Sequence, residues 1–108
     1  MEPAAQETDA KQDPNHKAIE AISRVAHEVV TTIAESMGDF TRLTWDDQAE
    51  DRRQHARHLT AAYLNTPDVL PITLLGSAIY MMTSQERIYT YAHYGVVKAI
   101  AREQARPN

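Results

Sequence analysis

This chain contains no cysteine, only three glycines, and a single tryptophan and a single phenylalanine. The absence of cysteine excludes disulfides, cysteine-ligated metal sites and thiol nucleophiles. The glycines stand alone in the sequence, so no glycine-rich loop can cradle a phosphate. The longest charge-free apolar run is Val69 to Met82, 14 residues, against the roughly 20 that a membrane-spanning helix needs. We therefore expect no cofactor and no membrane segment.

An excess of positive charge is also absent, since the formal net charge is −4. Four acids stand among the first fifteen residues: Glu2, Glu7, Asp9 and Asp13. The remainder of the chain is close to neutral, whereas binding to duplex nucleic acid usually requires a strongly basic face. Arg52, Arg53 and Arg57 form one local basic spot. Nucleic acid is not the expected partner, and a DNA-associated helical regulator remains a third alternative.

The chain length points to one domain. Residues 1–13 are polar and lack periodicity, which predicts a flexible acidic tail. They also lack the apolar stretch of a secretory leader, so we expect a cytosolic protein. Residues 14–106 are then expected to form a single helical domain.

The first predicted helix starts at Pro14, capped by Asp13, and ends at Gly38. Its apolar residues recur at helical spacing: Ile19, Ile22, Ala26, Val29, Ile33 and Met37. Val25 and Val30 widen this stripe. A helix that is apolar on more than one side is central or faces a partner subunit, so we expect a homo-oligomer.

Two further long helices are predicted. Residues 45–65 form the second, with Thr44 and Asp47 in a capping arrangement and Trp45 packed at the helix entrance. Thr83 and Glu86 form a capping box for the last helix, which continues to about Arg106. Gly95 in that helix predicts close approach of another backbone.

Residues 68–82 between these helices favour a short buried helix, because they carry no charge after Asp68. The alternative is two short extended pieces that bend at Gly76 and Ser77. The expected fold is therefore all-α, with three long helices and one short helix in a compact bundle.

Two arginines, Arg53 and Arg57, lie one helical turn apart and can clamp a phosphate or carboxylate. The alternative is that they pair with the nearby acids Asp46, Glu50 and Asp51.

Metal binding and catalysis are less well supported. His55 and His58, with Asp51 one turn earlier, have a spacing that can hold zinc or nickel. A solvated helix face explains them better, since the sequence offers no second ligand cluster. Ser23 and His27 share a helix face without any nucleophile-elbow motif. We expect no metal site, no catalytic residues and a protein that is not an enzyme.

The ordered set of motifs resembles small phage and prophage proteins related to the ryanodine-receptor domain. The matching segments are Arg24 to Val29, Gly38-Asp39, Trp45 to Glu50 with Arg53, Asn65 to Pro67, and Arg87 to Ile100. This family includes proteins that defeat the Thoeris defence system by sequestering its cyclic ADP-ribose-type signal. The resemblance implies a helical scaffold, and it implies nucleotide capture as one activity.

The chain departs from the family where a Gly-Trp, a Tyr-Gly and a Lys-x-His-Pro block are expected. The apolar run from Val69 to Met82 stands there instead, and this favours a protein partner. We therefore predict a phage accessory protein that binds and inhibits a host protein in the host cytosol. Its predicted interface comprises Leu70, Ile72, Leu74, Leu75, Tyr80, Met81, Tyr89 and Tyr94.

The alternative function is a sponge that sequesters a cyclic signalling nucleotide. Its predicted ligand-binding residues are His27, Arg53 and Arg57, with Trp45 or a tyrosine stacked on the base.

Overall fold

A computed structural model describes residues 14–65, 71 and 75–106. Within this part of the chain the fold is all-helical, as predicted, and the helices pack together. The elements are helix α1 (Pro14–Ser36), helix α2 (Glu50–Asn65), a short 3-10 helix (Gly76–Met81) and helix α3 (Ser84–Ala105). Residues 1–13, predicted as a tail, lie outside the described part.

Helix α1 ends at a glycine, as the sequence predicts. Gly38 has a φ of 90°, and its N–H donates to the carbonyl of Glu35 at 3.0 Å. The N–H of Asp39 donates to the carbonyl of Ala34 at 2.9 Å. These two bonds form a Schellman motif, which requires a left-handed residue at position 38.

The buried face of α1 differs from the predicted apolar stripe. Its buried residues are Ile22, Ser23, Ala26, His27, Val30 and Ala34. Val29 and Met37, expected inside, are exposed. The buried face includes Ser23 and His27 because each has a hydrogen-bond partner outside α1. Ser23 binds Thr60 on α2, and His27 binds the carbonyl of Leu43.

Helix α2 begins five residues later than predicted. The contact between Thr44 and Asp47 exists, with the Asp47 N–H donating to Thr44 Oγ1 at 3.3 Å, but it closes a turn. The helix then starts at Glu50. The carbonyls of Trp45, Asp46 and Gln48 accept hydrogen bonds from the Arg53 side chain. These backbone acceptors therefore have partners although the stretch is not helical.

The core lies where α1, α2 and α3 meet, since each of these helices contacts the other two. Ile22, Tyr63 and Val97 form its centre, and the Tyr63 ring meets the Tyr94 ring edge-on at a centroid distance of 5.2 Å. The capping box of α3 is confirmed: Thr83 and Glu86 exchange side-chain and backbone hydrogen bonds. In the described helices, none is long and apolar enough to cross a membrane.

The segment before α3 is helical in its described part, but only part of it is buried. Pro71 and Ile79 are buried, whereas Tyr80 and Met81 on the 3-10 helix are exposed. Gly95 also differs from expectation. No atom lies within 4 Å of the place that a Cβ would occupy, so no described backbone approaches it closely.

Candidate functional site

Trp45 lies at the junction of α1, the linker (residues 37–49) and α2. Its side chain is buried, and its Nε1 donates to Glu20 Oε2 at 2.9 Å. Because the ring is enclosed by protein and only 1% exposed, it cannot stack on a ligand base. Trp45 packs at the helix entrance, as the sequence predicts.

The two arginines of the predicted clamp are held by acceptors of the protein itself. Arg57 donates to Glu20 Oε1 and, at 2.8 Å, to Glu50 Oε2. Arg53 pairs with Glu50 and donates to the carbonyls of Trp45, Asp46 and Gln48. Of the acids named as alternative partners, only Glu50 pairs with these arginines, and Glu20 on α1 was not among those named. The two guanidinium groups join α1, the linker and α2.

The charges of this junction stabilise each other. Burial opposes ionisation of Glu20, but hydrogen bonds from Arg57 and Trp45 outweigh it and lower the pKa of the carboxyl. Burial also opposes the charge on Arg57, and hydrogen bonds to Glu50 and Glu20 raise its pKa nonetheless. The junction is a closed, fully ionised network rather than an open site.

His27, the fourth predicted ligand-binding residue, lies on the other side of Trp45 and fixes the linker. Its Nε2 is 2.7 Å from the Leu43 carbonyl, which only accepts, so Nε2 carries the proton. Its Nδ1 then accepts from Arg42 Nη2 at 3.3 Å. Arg42 also donates to Thr31 Oγ1 at 3.2 Å and lies over the Tyr89 ring, 5.2 Å from its centre.

A pocket of about 320 Å³ opens beside His27 between all three long helices and the linker. Its polar lining residues are Ser23, His27, Arg42, Gln48, Arg52, His55, Glu86, Tyr89, Thr90 and His93. Apolar residues from α1 and α2, together with Leu75 and Met82, complete it. Of the predicted ligand-binding set, His27 alone lines this pocket.

Positive charge dominates the pocket. Arg42 is partly buried, and among the described residues no carboxylate lies within ion-pair distance of it. Burial lowers the pKa of its guanidinium. Arg52 makes no ion pair with a described residue either. The single acid in the lining, Glu86, accepts the N–H of Thr83 in the α3 cap.

A buried hydroxyl chain leads from the pocket into the bundle. Ser23 Oγ donates to Thr60 Oγ1 at 2.8 Å, and Thr60 Oγ1 is 2.8 Å from His93 Nε2. Burial, and next electrostatic interactions with His55, His27 and Arg42, lower the pKa of His93 to about 4. His93 is therefore neutral at pH 7, and in the tautomer with its hydrogen on Nδ1 the Nε2 atom accepts from the Thr60 hydroxyl.

No sequence motif marks Arg42, Arg52 or His93 as a pocket residue. Arg42 is one charge in a short linker, and His93 is one polar residue in a helix, so neither forms a motif. The pairing of Ser23 with His27 considered for catalysis is not formed, because Ser23 donates to Thr60. His55 and His58 are exposed, and the described residues contain no group of three metal-ligating side chains.

The predicted protein interface is divided by the fold. Leu75 and Tyr89 line the pocket, and Tyr94 packs against the core. Tyr80 and Met81 are exposed, at 66% and 86%. Leu70, Ile72 and Leu74 lie outside the described residues.

Comparisons with protein families, with curated proteins and with solved structures find no match for this chain.

Proposed function

We propose that this chain binds a small anionic ligand in the pocket beside His27 and acts by holding that ligand unchanged. The observation that carries the proposal is the state of Arg42. This guanidinium is partly buried, lines the pocket and has no described carboxylate within ion-pair distance. Other arginines at the core of the fold, Arg53 and Arg57, are paired with acids.

The energetic argument follows from desolvation. Removing a cation from water costs up to several kcal/mol unless an anion or sufficient acceptors replace the lost hydration. Arg42 donates to Thr31 and to one nitrogen of His27 and lies over the ring of Tyr89. Asp39 attracts its charge only from beyond ion-pair distance. An anion in the pocket would supply the missing charge, and Arg52 lines the same space and adds a second cation.

The class of ligand that fits best is a cyclic signalling nucleotide, the alternative that the sequence raised. The pocket volume of about 320 Å³ lies at the lower end of the range of about 300–1,000 Å³ for small-molecule sites. Gln48 places its Oε1 in a buried position without a hydrogen-bond donor among the described residues. An N–H of a nucleobase would satisfy this oxygen while the phosphate binds Arg42 and Arg52.

The proposed site keeps one residue of the predicted set and replaces the others. His27 stays as a pocket residue, whereas Arg42 and Arg52 take the role first given to Arg53 and Arg57. Tyr89 replaces Trp45 as the aromatic residue in the lining. The resemblance to phage nucleotide-sequestering proteins supports the same activity and a place in the host cytosol.

Thermal unfolding in the presence of cyclic AMP, cyclic ADP-ribose and ADP-ribose tests the proposal. A ligand present at a hundredfold excess over its Kd should stabilise the folded state by about 2.7 kcal/mol. The Arg42→Gln variant should lose at least tenfold in affinity, about 1.4 kcal/mol, because the anion loses its buried partner.

Arg102→Gln is the matched control. It removes the same charge from the exposed last turn of α3, away from the pocket lining. Equal losses in the two variants would indicate a general charge effect and contradict a site at Arg42. Absence of stabilisation by every anion tried would contradict the proposal as a whole.

Binding to a host protein is the second candidate, and the exposed 3-10 helix favours it. Tyr80 and Met81 are large apolar residues that project from the described surface, and tyrosine and methionine are enriched at protein interfaces. In this function the chain would inhibit a host defence or regulatory protein.

Capture from host lysate on the immobilised chain tests this candidate. A variant with both Tyr80→Ser and Met81→Ser should lose any host protein that the unmodified chain retains. Arg42→Gln should retain it, because Arg42 lies in the pocket. The reverse pattern would assign the partner to the pocket face instead.

A further inference from the structure

The Ser23–Thr60–His93 chain connects the pocket to a buried imidazole. Ser23 and His93 both line the pocket, whereas Thr60 between them is fully buried. Ser23 donates to Thr60, and with the ring hydrogen of the neutral His93 on Nδ1, Thr60 donates to Nε2. In this arrangement neither hydroxyl hydrogen is directed into the pocket.

Titratable and charged groups from every packed element line the pocket together with His93. They are His27 on α1, Arg42 in the linker, Arg52 and His55 on α2, and Glu86 and Tyr89 on α3, with the Tyr63 ring edge-on at 5.5 Å. Cations outnumber the one acid in this set. A positive charge on His93 is therefore opposed in the empty pocket and would be favoured once an anion lies among these groups.

We propose that an anion bound in the pocket draws a proton onto His93 and reverses the hydroxyl chain, so that Ser23 donates to the ligand. This inference rests on the proposed function, because it needs an anion in the same pocket. It adds a coupling between ligand binding and proton uptake, and it identifies Ser23 as a ligand-contacting group.

The proton inventory of this step is simple. One proton from solvent adds to Nε2 of His93, which then donates to Thr60 Oγ1. The Thr60 hydroxyl hydrogen turns to Ser23 Oγ, and the Ser23 hydroxyl hydrogen turns into the pocket toward the anion. No covalent bond between heavy atoms forms or breaks, and each hydroxyl keeps one hydrogen.

The depressed basicity of His93 agrees with this scheme. Burial lowers the pKa of the imidazole to about 4, and electrostatic interactions with His55, His27 and Arg42 contribute further. Burial persists when a ligand binds, but a bound anion offsets the electrostatic effect of these neighbours. Proton uptake then occurs between the pKa values of the free and the liganded protein, which requires mildly acidic solution.

Calorimetric titration with cyclic AMP in buffers of different ionisation enthalpy measures the proton uptake directly. The phosphodiester keeps one charge across mildly acidic pH, so the phosphate itself takes up no proton. The His93→Gln variant separates uptake by the protein from uptake by the adenine ring. We expect a measurable fraction of a proton to be taken up. The affinity should rise as pH falls, by at most about tenfold per pH unit, the limit for one proton.

Two variants locate the proton. His93→Gln should bind with little or no proton uptake, and Thr60→Val should bind more weakly because the chain to Ser23 is broken. His58→Gln is the control, since His58 is an exposed histidine on α2 that does not line the pocket. It should leave both uptake and affinity unchanged.

The imidazole signals of the unmodified chain give a second measurement that needs no variant. The carbon shifts of His93 in NMR spectra should indicate a neutral ring in the free protein and a charged ring with cyclic AMP at mildly acidic pH. Binding without proton uptake, or uptake that persists in His93→Gln, would overturn the inference and leave the pocket proposal standing. If no anion binds the unmodified chain, both proposals fail.

Discussion

The carboxylate of Glu20 binds the indole of Trp45 through one oxygen and the guanidinium of Arg57 through the other. This arrangement joins α1 to the start of α2 by charge as well as by packing. It also explains why two of the four predicted ligand-binding residues are not free to bind a ligand. Trp45 and Arg57 are the partners of an internal acid.

Replacement of Glu20 tests this junction. Glu20→Ala leaves the buried N–H of Trp45 and the charge of Arg57 each with one acceptor fewer, so the free energy of unfolding should fall by about 2 kcal/mol. Urea denaturation measures this loss. Glu28→Ala removes an exposed acid from the same helix and should change stability far less; an equal loss would contradict a special role for Glu20.

The unfolding free energy should depend on pH through His93. The pKa of this imidazole is about 4 in the folded protein, against 6.5 for an unperturbed histidine. Between these values the unfolded chain binds the proton and the folded chain does not, so stability should fall as pH decreases from about 6.5 to about 4. The full loss is on the order of 3 kcal/mol.

Denaturation at a series of pH values in the unmodified chain and in His93→Gln measures this contribution. The buffers must lack phosphate, which would occupy the proposed site. The variant should show a flatter curve across this interval. Parallel curves would place the proton elsewhere.

Two glycines should respond to alanine in opposite directions. Gly95 is exposed within α3 and has open space at its Cβ position, so Gly95→Ala should stabilise the helix by about 0.5–1 kcal/mol. Gly38 has a φ of 90° in the Schellman motif, and Gly38→Ala should destabilise because a Cβ is strained there. Thermal unfolding of both variants checks the pair, and a destabilised Gly95→Ala would point to a subunit that covers α3.

The predicted homo-oligomer remains a prediction, and exposed apolar residues on α1 support it. Val25 and Val29 lie one turn apart on α1 and are exposed, as are Phe40 and Leu43 in the linker. Sedimentation equilibrium should show self-association that is weakened in a variant with Val25→Asp and Val29→Asp. A monomer at tens of micromolar would contradict the oligomer, because a dimer with a Kd of about 1 μM would be mostly associated at that concentration.

The position of α1 shows how far hydrophobic periodicity reaches. The pattern correctly gives the helix and its end at Gly38, because local geometry and capping are encoded by neighbouring residues. It places Val29 inside and gives no buried position to Ser23 or His27. The structure exposes Val29 and buries Ser23 and His27. Hydropathy cannot anticipate a polar residue that is buried because a distant hydroxyl or carbonyl satisfies it.

The residues of the pocket show the same limit. Arg42, Arg52 and His93 come from the linker, α2 and α3, and no spacing in the chain relates them. Arg53 and Arg57 do have a recognisable spacing. However, the spacing does not identify their partners. Glu50 was one of several nearby acids, and Glu20 becomes a partner only through the packing of α1 against α2.

The sequence by itself determined the helical class, the absence of cysteine chemistry, the ends of α1 and the capping box of α3. These depend on composition or on residues within a few positions of each other. Only the tertiary structure decided which cations are neutralised and which face a pocket. That outcome depends on distances between helices. Arg57 meets Glu20 across the α1–α2 junction, whereas Arg42 is partly buried with no described carboxylate within ion-pair distance.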